Sequence, residues 1–419
     1  MHLCIFEDAQ YKNFFPLVSL RPVADLRCGA STLLDKTTRH FKGASVSLSV
    51  RSLIAPLAAH EHPRFTVNTP SPADTLYVNA RVVADEHFVK AVRRSSPAAK
   101  IFLCGDTIAA MAVDAKTLAT LPQLFLHGLL NEPVARQLPA ETVSCRIAHY
   151  PWDLVHFNAE EVGRDFAWAS QRTRKKIAGK IYPGAALVGR QRILVGEGSV
   201  VKPGVVLDAE EGPILIGKNV TIMPNAVIQG PACIGDGSVV KIGAKICHGT
   251  SVGEQCKVGG EIEVSIIHSF SNKQHDGFLG HSYLGSWVNL GADTNTSDLK
   301  NTYGTVRVEL ERQQIDTGQM FVGLTMGDHS KTGINVMFDT GTIVGVSCNI
   351  YGANLPPKAI PSFSWGQHDS FVPYELEKCV ETARRVMARR KVVMSRPYEQ
   401  LLRDVYAESA KRGKRSGAR

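Results

Sequence analysis

Aliphatic residues recur at every sixth position through the middle of the chain. The set comprises Ile216, Ile222, Ile228, Ile234, Val240, Ile246, Val252 and Val258. A helix or a simple amphipathic strand does not produce a strict period of six. A triangular parallel β-helix does, because each short strand turns one aliphatic residue inward and three hexads close a coil. We therefore predict a left-handed parallel β-helix built from hexapeptide repeats.

The two ends of the chain follow other patterns. Before about residue 175, short apolar runs such as "LCIF" and "TLYVNARVV" alternate with helical patterns such as "EHFVKAVRRS". This alternation favours an α/β layer with a mostly parallel sheet. After residue 365, "ARRVMARRKVV" has helical apolar spacing and precedes a basic tail. The predicted domains are an α/β domain at 1–175, a β-helix at 176–365, and a C-terminal helix with a tail at 366–419.

Composition limits the location and the partners of the chain. It has 419 residues, of which 44% are hydrophobic and 21% charged, and no apolar run is long enough to span a bilayer. With no signal-peptide pattern at the N-terminus, we expect a cytoplasmic protein. Nine singly scattered cysteines favour reduced thiols. The net charge of +9 equals the surplus of twelve Lys and Arg over three acids from Arg384 onward, so we expect no nucleic-acid partner.

The regular pattern is broken at "SNKQHDGFLGH", residues 271–281. His275 could accept a proton from an attacking amine, and Lys273 and Asn272 suit a phosphate or sugar hydroxyls, so Lys273 is a predicted substrate contact. A second break, Thr294–Phe321, is too long for a corner and predicts an excursion from the β-helix. Because stiff prisms with flat sides pack against one another, we also predict a homotrimer.

The C-terminal half resembles a known family. "GGEIEVS" and "SNKQHDGFLGHSYLGSWVNLGA" are similar to the acetyltransferase half of the bifunctional N-acetylglucosamine-1-phosphate uridyltransferase / glucosamine-1-phosphate acetyltransferase family, and more closely to its divergent branch of sugar nucleotidyltransferases. The resemblance implies that His275 is the general base and that Asn289 and Glu261 line the acceptor site. It implies that Lys300, in "SDLKN", contacts a phosphate and that acetyl-CoA lies between neighbouring subunits. The tyrosine of the family is Phe278 here.

The N-terminal half resembles the nucleotidyltransferase part of that family less closely. "RPVADLRCGASTLL" is similar to the segment that follows the family's Gly-rich loop, although the loop itself is absent. The resemblance implies that Arg21, Arg27 and Lys36 bind the nucleotide phosphates. The family's Mg²⁺-binding Asp is Asn79 here, and an amide is a poor substitute for that carboxylate. A Mg²⁺ site would then need another acid, for which Asp153 is the candidate.

The expected function is an acetyl-CoA-dependent N-acetyltransferase on an amino-sugar phosphate or nucleotide sugar. It would be fused to a sugar-nucleotide-binding domain of uridyltransferase type, as in UDP-N-acetylglucosamine synthesis for the cell envelope. A second interpretation keeps sugar-1-phosphate nucleotidyl transfer active and makes the β-helix a trimerising scaffold. A third resembles the γ-class carbonic anhydrases, with His268, His275 and His281 as metal ligands.

Overall fold

The computed structural model describes residues 2–71, 73–93, 99–121, 123–368 and 370–414. The N-terminal part contains a seven-stranded sheet. In spatial order its strands are Ala140–Thr142, Lys100–Cys104, Thr107–Val113, Thr75–Asn79, His2–Phe6, Ser45–Ser49 and Thr66–Val67. All neighbours are parallel except around Thr107–Val113, which is antiparallel to both strands beside it. Two-stranded ribbons join Arg27–Cys28 to Ser31–Thr32, Val82–Val83 to Arg146–Ile147, and Phe125–Leu126 to Leu129–Leu130.

The helices of this part lie on the two sides of the sheet. They are α1 (Leu33–Thr38), α2 (Ala55–Glu61), α3 (Glu86–Arg93), α4 (Ala115–Thr120), α5 (Glu132–Ala135) and α6 (Pro151–Ser170), with 3-10 turns at Ala9–Phe14 and Val23–Asp25. Helices α1, α2, α3 and α6 bury apolar residues in the larger core. Residues of α4 and α5 contribute to a smaller core on the other side. One side of the sheet is therefore much more heavily covered than the other.

The middle of the chain is a prism with three faces. Face 1 contains Lys180–Ile181, Val200–Val201, Thr221–Ile222, Val239–Val240, Lys257–Val258, Asn272–Lys273, Lys331–Thr332, Asn349–Ile350 and Ser364–Gln367, with Ser370–Pro373 antiparallel to the last. Face 2 contains Ala186–Val188, Val206–Asp208, Val227–Gln229, Lys245–Ile246, Glu261–Glu263, Phe278–Gly280, Asn295–Thr296 and Met337–Phe338. Face 3 contains Ile193–Val195, Ile214–Ile216, Ala232–Ile234, Thr250–Val252, Ile266–Ile267, Tyr283–Leu284, Thr325–Met326, Ile343–Val344 and Ala359–Ile360. The three faces confirm the predicted β-helix, and a 3-10 turn, Arg190–Arg192, lies in its first coil.

The aliphatic hexads fill the interior as the period predicts. All eight residues from Ile216 to Val258 are at most 3% exposed, and every third one falls on the same face. Ile262 follows Val258 by four residues instead of six, yet it lies inside the prism and pairs with Ile246. The reason is the short corner at Gly259 and Gly260, which brings the next strand forward by two residues.

The predicted excursion is present and packs against the N-terminal part. It forms an antiparallel hairpin, Arg307–Leu310 with Gln313–Asp316. Val306 and Val308 share an apolar cluster with Trp152 near the start of α6. The excursion is therefore held by the domain that precedes the prism.

The N-terminal domain covers face 3. Asn158 of α6 bonds the Ser251 hydroxyl at 2.9 Å and the Gly249 carbonyl at 2.7 Å. Arg21 forms a two-point ion pair with Asp328, at 3.0 and 2.5 Å, and both side chains are almost fully buried. Removing one partner of such a pair typically costs about 3–5 kcal/mol, so these contacts fix the two domains to each other.

Two C-terminal helices complete the structure, α7 (Leu376–Ala388) and α8 (Arg396–Lys414). Cys379, Val380 and Ala383 of α7 and Leu401 and Leu402 of α8 join the larger apolar core. Residues 415–419 of the predicted basic tail lie outside the described residues. No helix in the described part of the chain has the length and apolar content needed to cross a membrane.

Candidate functional site

His275 lies on the exposed edge where face 1 passes into face 2. It follows the strand Asn272–Lys273 of face 1 and precedes Phe278–Gly280 of face 2, and its side chain is exposed. Among the described residues its imidazole has no hydrogen-bond partner, so both ring nitrogens are open to a ligand. The predicted general base is thus accessible at one edge of the prism.

Lys273 stands inside the prism instead of on its surface. It pairs with Val258 in the inward row of face 1 and is 1% exposed. Its Nζ donates to the carbonyls of His275 at 2.8 Å and Asp276 at 3.0 Å. Burial lowers the pKa of Lys273 to about 8, although Asp276 and Asp293 act in the opposite direction. The predicted substrate contact therefore supports the His275 corner from below.

The spacing of six is in fact kept through this segment. Ile267, Lys273 and Leu279 are six residues apart, and all three are buried. The expectation that the pattern stops here is therefore wrong, because a lysine occupies an aliphatic position. Its ammonium replaces the missing apolar contact by hydrogen bonds to two corner carbonyls, of which that of His275 has no other donor among the described residues.

The His275 corner also requires a glycine. Gly277 has φ of 106°, and a Cβ there would lie 2.3 Å from the carbonyl oxygen of Thr294 in the next coil. The Asp293 amide donates to the Asp276 carbonyl at 3.1 Å. The corner is therefore clamped between Lys273 inside and the following coil above.

Asn289 lies in the outward-facing row of face 1, one coil beyond the strand that precedes His275. The row runs Lys257, Asn272, Asn289 and Lys331 in successive coils. The Asn272 amide donates to the Asn289 side-chain oxygen at 3.3 Å, while Arg390, after α7, donates to the Asn272 oxygen at 2.6 Å. The predicted acceptor residue therefore belongs to a polar strip beside the His275 edge.

A group of cations without acidic partners adjoins this strip. It consists of Lys241, Lys257, Arg389 and Arg390, and none of the four forms an ion pair within the described residues. Burial lowers the pKa of Lys257, and Arg390, Lys241 and Arg389 lower it further. These cations repel one another and have no acidic partner among the described residues, so a bound anion would stabilise the group.

The other two predicted acceptor contacts lie at different places. Glu261 follows Gly260, where an added Cβ would lie 2.7 Å from the His275 carbonyl oxygen, and its side chain pairs with Lys245 at 3.1 Å on the outer side of face 2. Lys300 lies in the excursion, which leaves the prism beyond the far edge of face 2, and its Nζ donates to the Thr305 carbonyl at 3.0 Å. Within one chain, Lys300 and His275 are therefore separated by the width of a face.

The three histidines of the metal interpretation do not converge. His268 is buried, with its ring bonded to the Asp25 carbonyl at 3.1 Å and the Ser286 hydroxyl at 3.1 Å. His281, on the opposite edge of face 2 from His275, pairs with Asp298 at 2.8 Å. No group of three or more potential ligands able to hold a metal ion is found in the described part of the chain. The hydratase alternative is therefore not supported.

The predicted nucleotide-binding cations are all buried and ion-paired. Arg21 pairs with Asp328 as described, and Arg27 contacts Glu254 of the prism at 2.5 Å. Burial opposes the charge of Glu254, but Arg27 and the Ser269 hydroxyl hold its pKa at about 2. Lys36 is fully buried between Glu161 and Asp165 of α6, at 2.8 Å from each. The structure does not present any of the three to an open phosphate site, since Arg21 and Arg27 join the N-terminal domain to the prism and Lys36 joins α1 to α6 within the N-terminal domain.

The strand ends of the N-terminal sheet do not form a magnesium site either. Asn79 donates to Asp8 at 2.8 Å, and Asp8 is paired with the buried Arg81 at 2.5 Å. Asp153 caps the start of α6, where it accepts from the amides of His149 at 2.7 Å and Tyr150 at 2.9 Å. Each carboxylate already has its partners, so these residues do not fit Mg²⁺.

Comparison with known proteins agrees with the two-part architecture. Residues 3–174 match the family model for sugar nucleotidyl transferases. Residues 213–241 match the model for bacterial transferase hexapeptide repeats.

Similarity to individual proteins is modest. The bifunctional protein GlmU of Synechococcus sp. strain CC9311 is 29% identical over 44% of this chain and 36% of its own length. A bifunctional sugar-1-phosphate nucleotidylyltransferase/acetyltransferase of Sulfurisphaera tokodaii is 33% identical over 23% of this chain and 25% of its own length. Among solved structures, a UDP-N-acetylglucosamine acyltransferase from Campylobacter jejuni aligns over 54% of this chain and 95% of its own, with 15% identity and a TM-score of 0.29. The matches thus span about a third or less of these two bifunctional relatives.

Sequence reasoning missed three features of the site. Lys273 lies six residues from Ile267 and from Leu279, and this spacing could have shown that its side chain points inward. The pairing of His281 with Asp298 and the contact of Arg390 with Asn272 had none, because each joins residues that the tertiary fold alone brings together. The chain therefore joins an N-terminal part that is similar to sugar nucleotidyl transferases over residues 3–174 to a β-helix with hexapeptide repeats, and over part of its length it is similar to a bifunctional sugar-1-phosphate nucleotidylyltransferase/acetyltransferase.

Proposed function

We propose that the chain is an acyl-CoA-dependent N-acyltransferase that acts on an amino-sugar phosphate or a nucleotide sugar, with acetyl-CoA as the expected donor. The observation that carries the proposal is the exposed His275 at a corner that Lys273 and Gly277 hold in place. A prism that served as a scaffold alone would have no need for a charged residue in its interior, because aliphatic side chains, from Ile181 to Val258, fill that position in the five preceding coils. The similarity to a bifunctional sugar-1-phosphate nucleotidylyltransferase/acetyltransferase supports the same chemistry.

His275 acts as the general base in this proposal. As the amine nitrogen attacks the thioester carbonyl, the new C–N bond forms and His275 takes the amine proton. The C–S bond then breaks, and His275 returns the proton to the thiolate. Asn289 and Glu261, on the two faces that meet near His275, would orient the sugar through its hydroxyls.

The cation group on face 1 is the proposed phosphate site. Lys257 and Arg390 flank Asn272, which is three residues before His275 and so within about 11 Å of it along the chain. A phosphate on the amino sugar, or one on CoA, would relieve the repulsion among these cations. The unpaired cations thus give the site a preference for phosphorylated substrates.

A test compares His275→Ala with His248→Ala. His248 is an exposed histidine that lies two coils before His275. Its Nε2 is 3.8 Å from a carboxylate oxygen of Glu263, which is a long contact. The release of free CoA from acetyl-CoA is measured with glucosamine 1-phosphate as acceptor. Loss of a general base should lower kcat by about 10²- to 10⁴-fold in His275→Ala. Equal rates in the two variants would remove His275 from the mechanism.

A second candidate is nucleotide-sugar binding by the N-terminal domain. The family match over residues 3–174 favours it. Nucleotidyl transfer itself is less well supported, because Asp8, Asn79 and Asp153 are engaged in internal contacts. We therefore propose a binding role for this domain and place the chemistry on the β-helix.

A further inference from the structure

One side of the strand Ser45–Ser49 carries serines alone, although most of that side is buried. Its sequence, "SVSLS", puts Val46 and Leu48 on one side of the sheet and serines alone on the other. Ser47 and Ser49 are nevertheless 2% and 6% exposed. The neighbouring strands add His2 and Thr75 to the same region, again polar and buried. A covered sheet face normally carries apolar residues, so this polar patch needs an explanation.

A cavity of about 300 Å³ lies over this patch, on the thinly covered side of the sheet. The serines and Thr75 contribute to its lining, and Tyr77, Leu121 and Phe125 supply apolar and aromatic surface. Residues 68–71, Leu118 and residues 123–124 also border it. A cavity of this size, with aromatic walls and a few buried polar groups, has the character of a small-molecule site.

The hydrogen bonds of the polar groups indicate what a ligand would offer. The Ser49 hydroxyl donates to the Gly128 carbonyl at 3.1 Å, and Thr75 donates to the Ala73 carbonyl at 2.8 Å. Each hydroxyl has therefore used its one hydrogen and retains a lone pair as an acceptor. A ligand that satisfies both must present O–H or N–H donors.

The charge of the residues that line the cavity restricts the class of ligand further. Among the described residues that line the cavity there is no Lys, Arg, Asp or Glu. His2 is held between Ser45 and Ser47 at 2.8 and 2.7 Å, and burial lowers its pKa, which favours the neutral ring. A phosphate would find no charged side chain among these lining residues.

We propose that this cavity binds an uncharged ring bearing several O–H or N–H donors, the chemistry shared by a sugar and a nucleoside. The site is distinct from the ion-paired strand ends at Asp8 and Asn79 and from His275. It is a ligand site of the N-terminal domain that needs no metal and no phosphate contact. Its existence does not depend on acyl transfer by the β-helix.

The test titrates the full chain with free uridine and, separately, with free N-acetylglucosamine, by calorimetry. Thr75→Val preserves shape and removes one acceptor, so affinity should fall roughly three- to tenfold. Ser49→Leu should abolish binding by filling the cavity. Thr66→Val is the matched control, since Thr66 is exposed on the adjacent edge strand and does not line the cavity.

Each outcome of the two titrations either identifies the class of ligand or overturns the proposal. Binding of uridine alone identifies a nucleoside site, and binding of N-acetylglucosamine alone identifies a sugar site, provided that the control variant binds like the original chain. Absence of binding of both probes at millimolar concentration would overturn the proposal. So would unchanged affinity in both cavity variants when their melting temperatures show that they are folded. An inactive β-helix with an intact cavity titration would contradict the proposed function but leave this inference standing.

Discussion

Replacing Lys273 by Met tests how the buried ammonium acts. Methionine has a similar length, so the change removes the charge and its two bonds with little change in volume. The pKa of Lys273 falls from 10.5 to about 8, which corresponds to about 3 kcal/mol of cost for keeping the charge inside the prism near neutral pH. The variant avoids that cost, but it leaves the His275 carbonyl without its donor, at about 1–3 kcal/mol, whereas the Asp276 carbonyl keeps the Asp293 amide as a donor. The two effects partly cancel, so near pH 7 Lys273→Met should be as stable as the original chain or more stable by up to about 2 kcal/mol.

The pH dependence separates the two effects. Because the pKa of Lys273 is lower in the folded chain than in the unfolded chain, the unfolded chain binds the extra proton between about pH 8 and pH 10.5. Stability from this group therefore rises with pH over that range and is lost again as pH falls through about 8. Relative to Lys273→Met, the original chain should gain about 2 kcal/mol in free energy of unfolding between about pH 7.5 and pH 10. Urea unfolding at the two pH values measures this difference.

Lys331→Met provides the matched control. Burial also lowers the pKa of Lys331 to about 8, and its Nζ donates to a carbonyl, that of His329, at 2.6 Å. That carbonyl belongs to a different edge of the prism. Both variants should show the altered pH dependence, but Lys273→Met alone should lose acetyl transfer, by roughly 10- to 100-fold in kcat, because the His275 corner is no longer held.

Two results would refute this reasoning. If the stability difference between Lys273→Met and the original chain stayed constant from pH 7.5 to pH 10, Lys273 would not titrate in the prism. If Lys273→Met kept full kcat while His275→Ala lost it, the corner would hold its geometry without the lysine.

The remaining predictions concern the phosphate site and the assembly. Lys257→Gln and Arg390→Gln should each raise the KM of a phosphorylated substrate about tenfold with little change in kcat, whereas Arg385→Gln, which loses only its exposed pair with Glu381, should change neither. A KM effect of the same size in Arg385→Gln would show a general loss of positive charge. We also propose a homotrimer, which would leave the domain-covered face 3 on the outside and use the exposed Ile242, Ile334 and Met337 along the His275 edge and face 2. Mass measurement in solution should give three chains, and a monomer at micromolar concentration would contradict it.

The β-helix was predictable because its physics is local and repeated. One aliphatic residue per strand must point inward in every coil, so the chain itself carries the period, and all eight residues from Ile216 to Val258 are buried as expected. His275 lies at a corner because a corner follows each strand, while its role as general base stays a prediction. The period of six misses Ile262 because a two-residue contraction at Gly259 and Gly260 is invisible to a fixed period.

The partners of the N-terminal cations could not be predicted from the sequence. Arg21, Arg27 and Lys36 have the spacing that a phosphate-binding segment would have, and nothing local distinguishes a cation that binds a ligand from one that binds a distant carboxylate. Their partners, Asp328, Glu254 and Asp165, lie 307, 227 and 129 residues further along the chain. Since a buried arginine or lysine requires such a partner, the pairs of Arg21 and Arg27 follow from the docking of the domain onto face 3, and the pair of Lys36 follows from the packing of α1 against α6 inside the domain. That docking makes the N-terminal domain and the prism one unit, and the two ligand sites proposed for this chain, the edge at His275 and the cavity over Ser47 and Ser49, both lie away from these ion pairs.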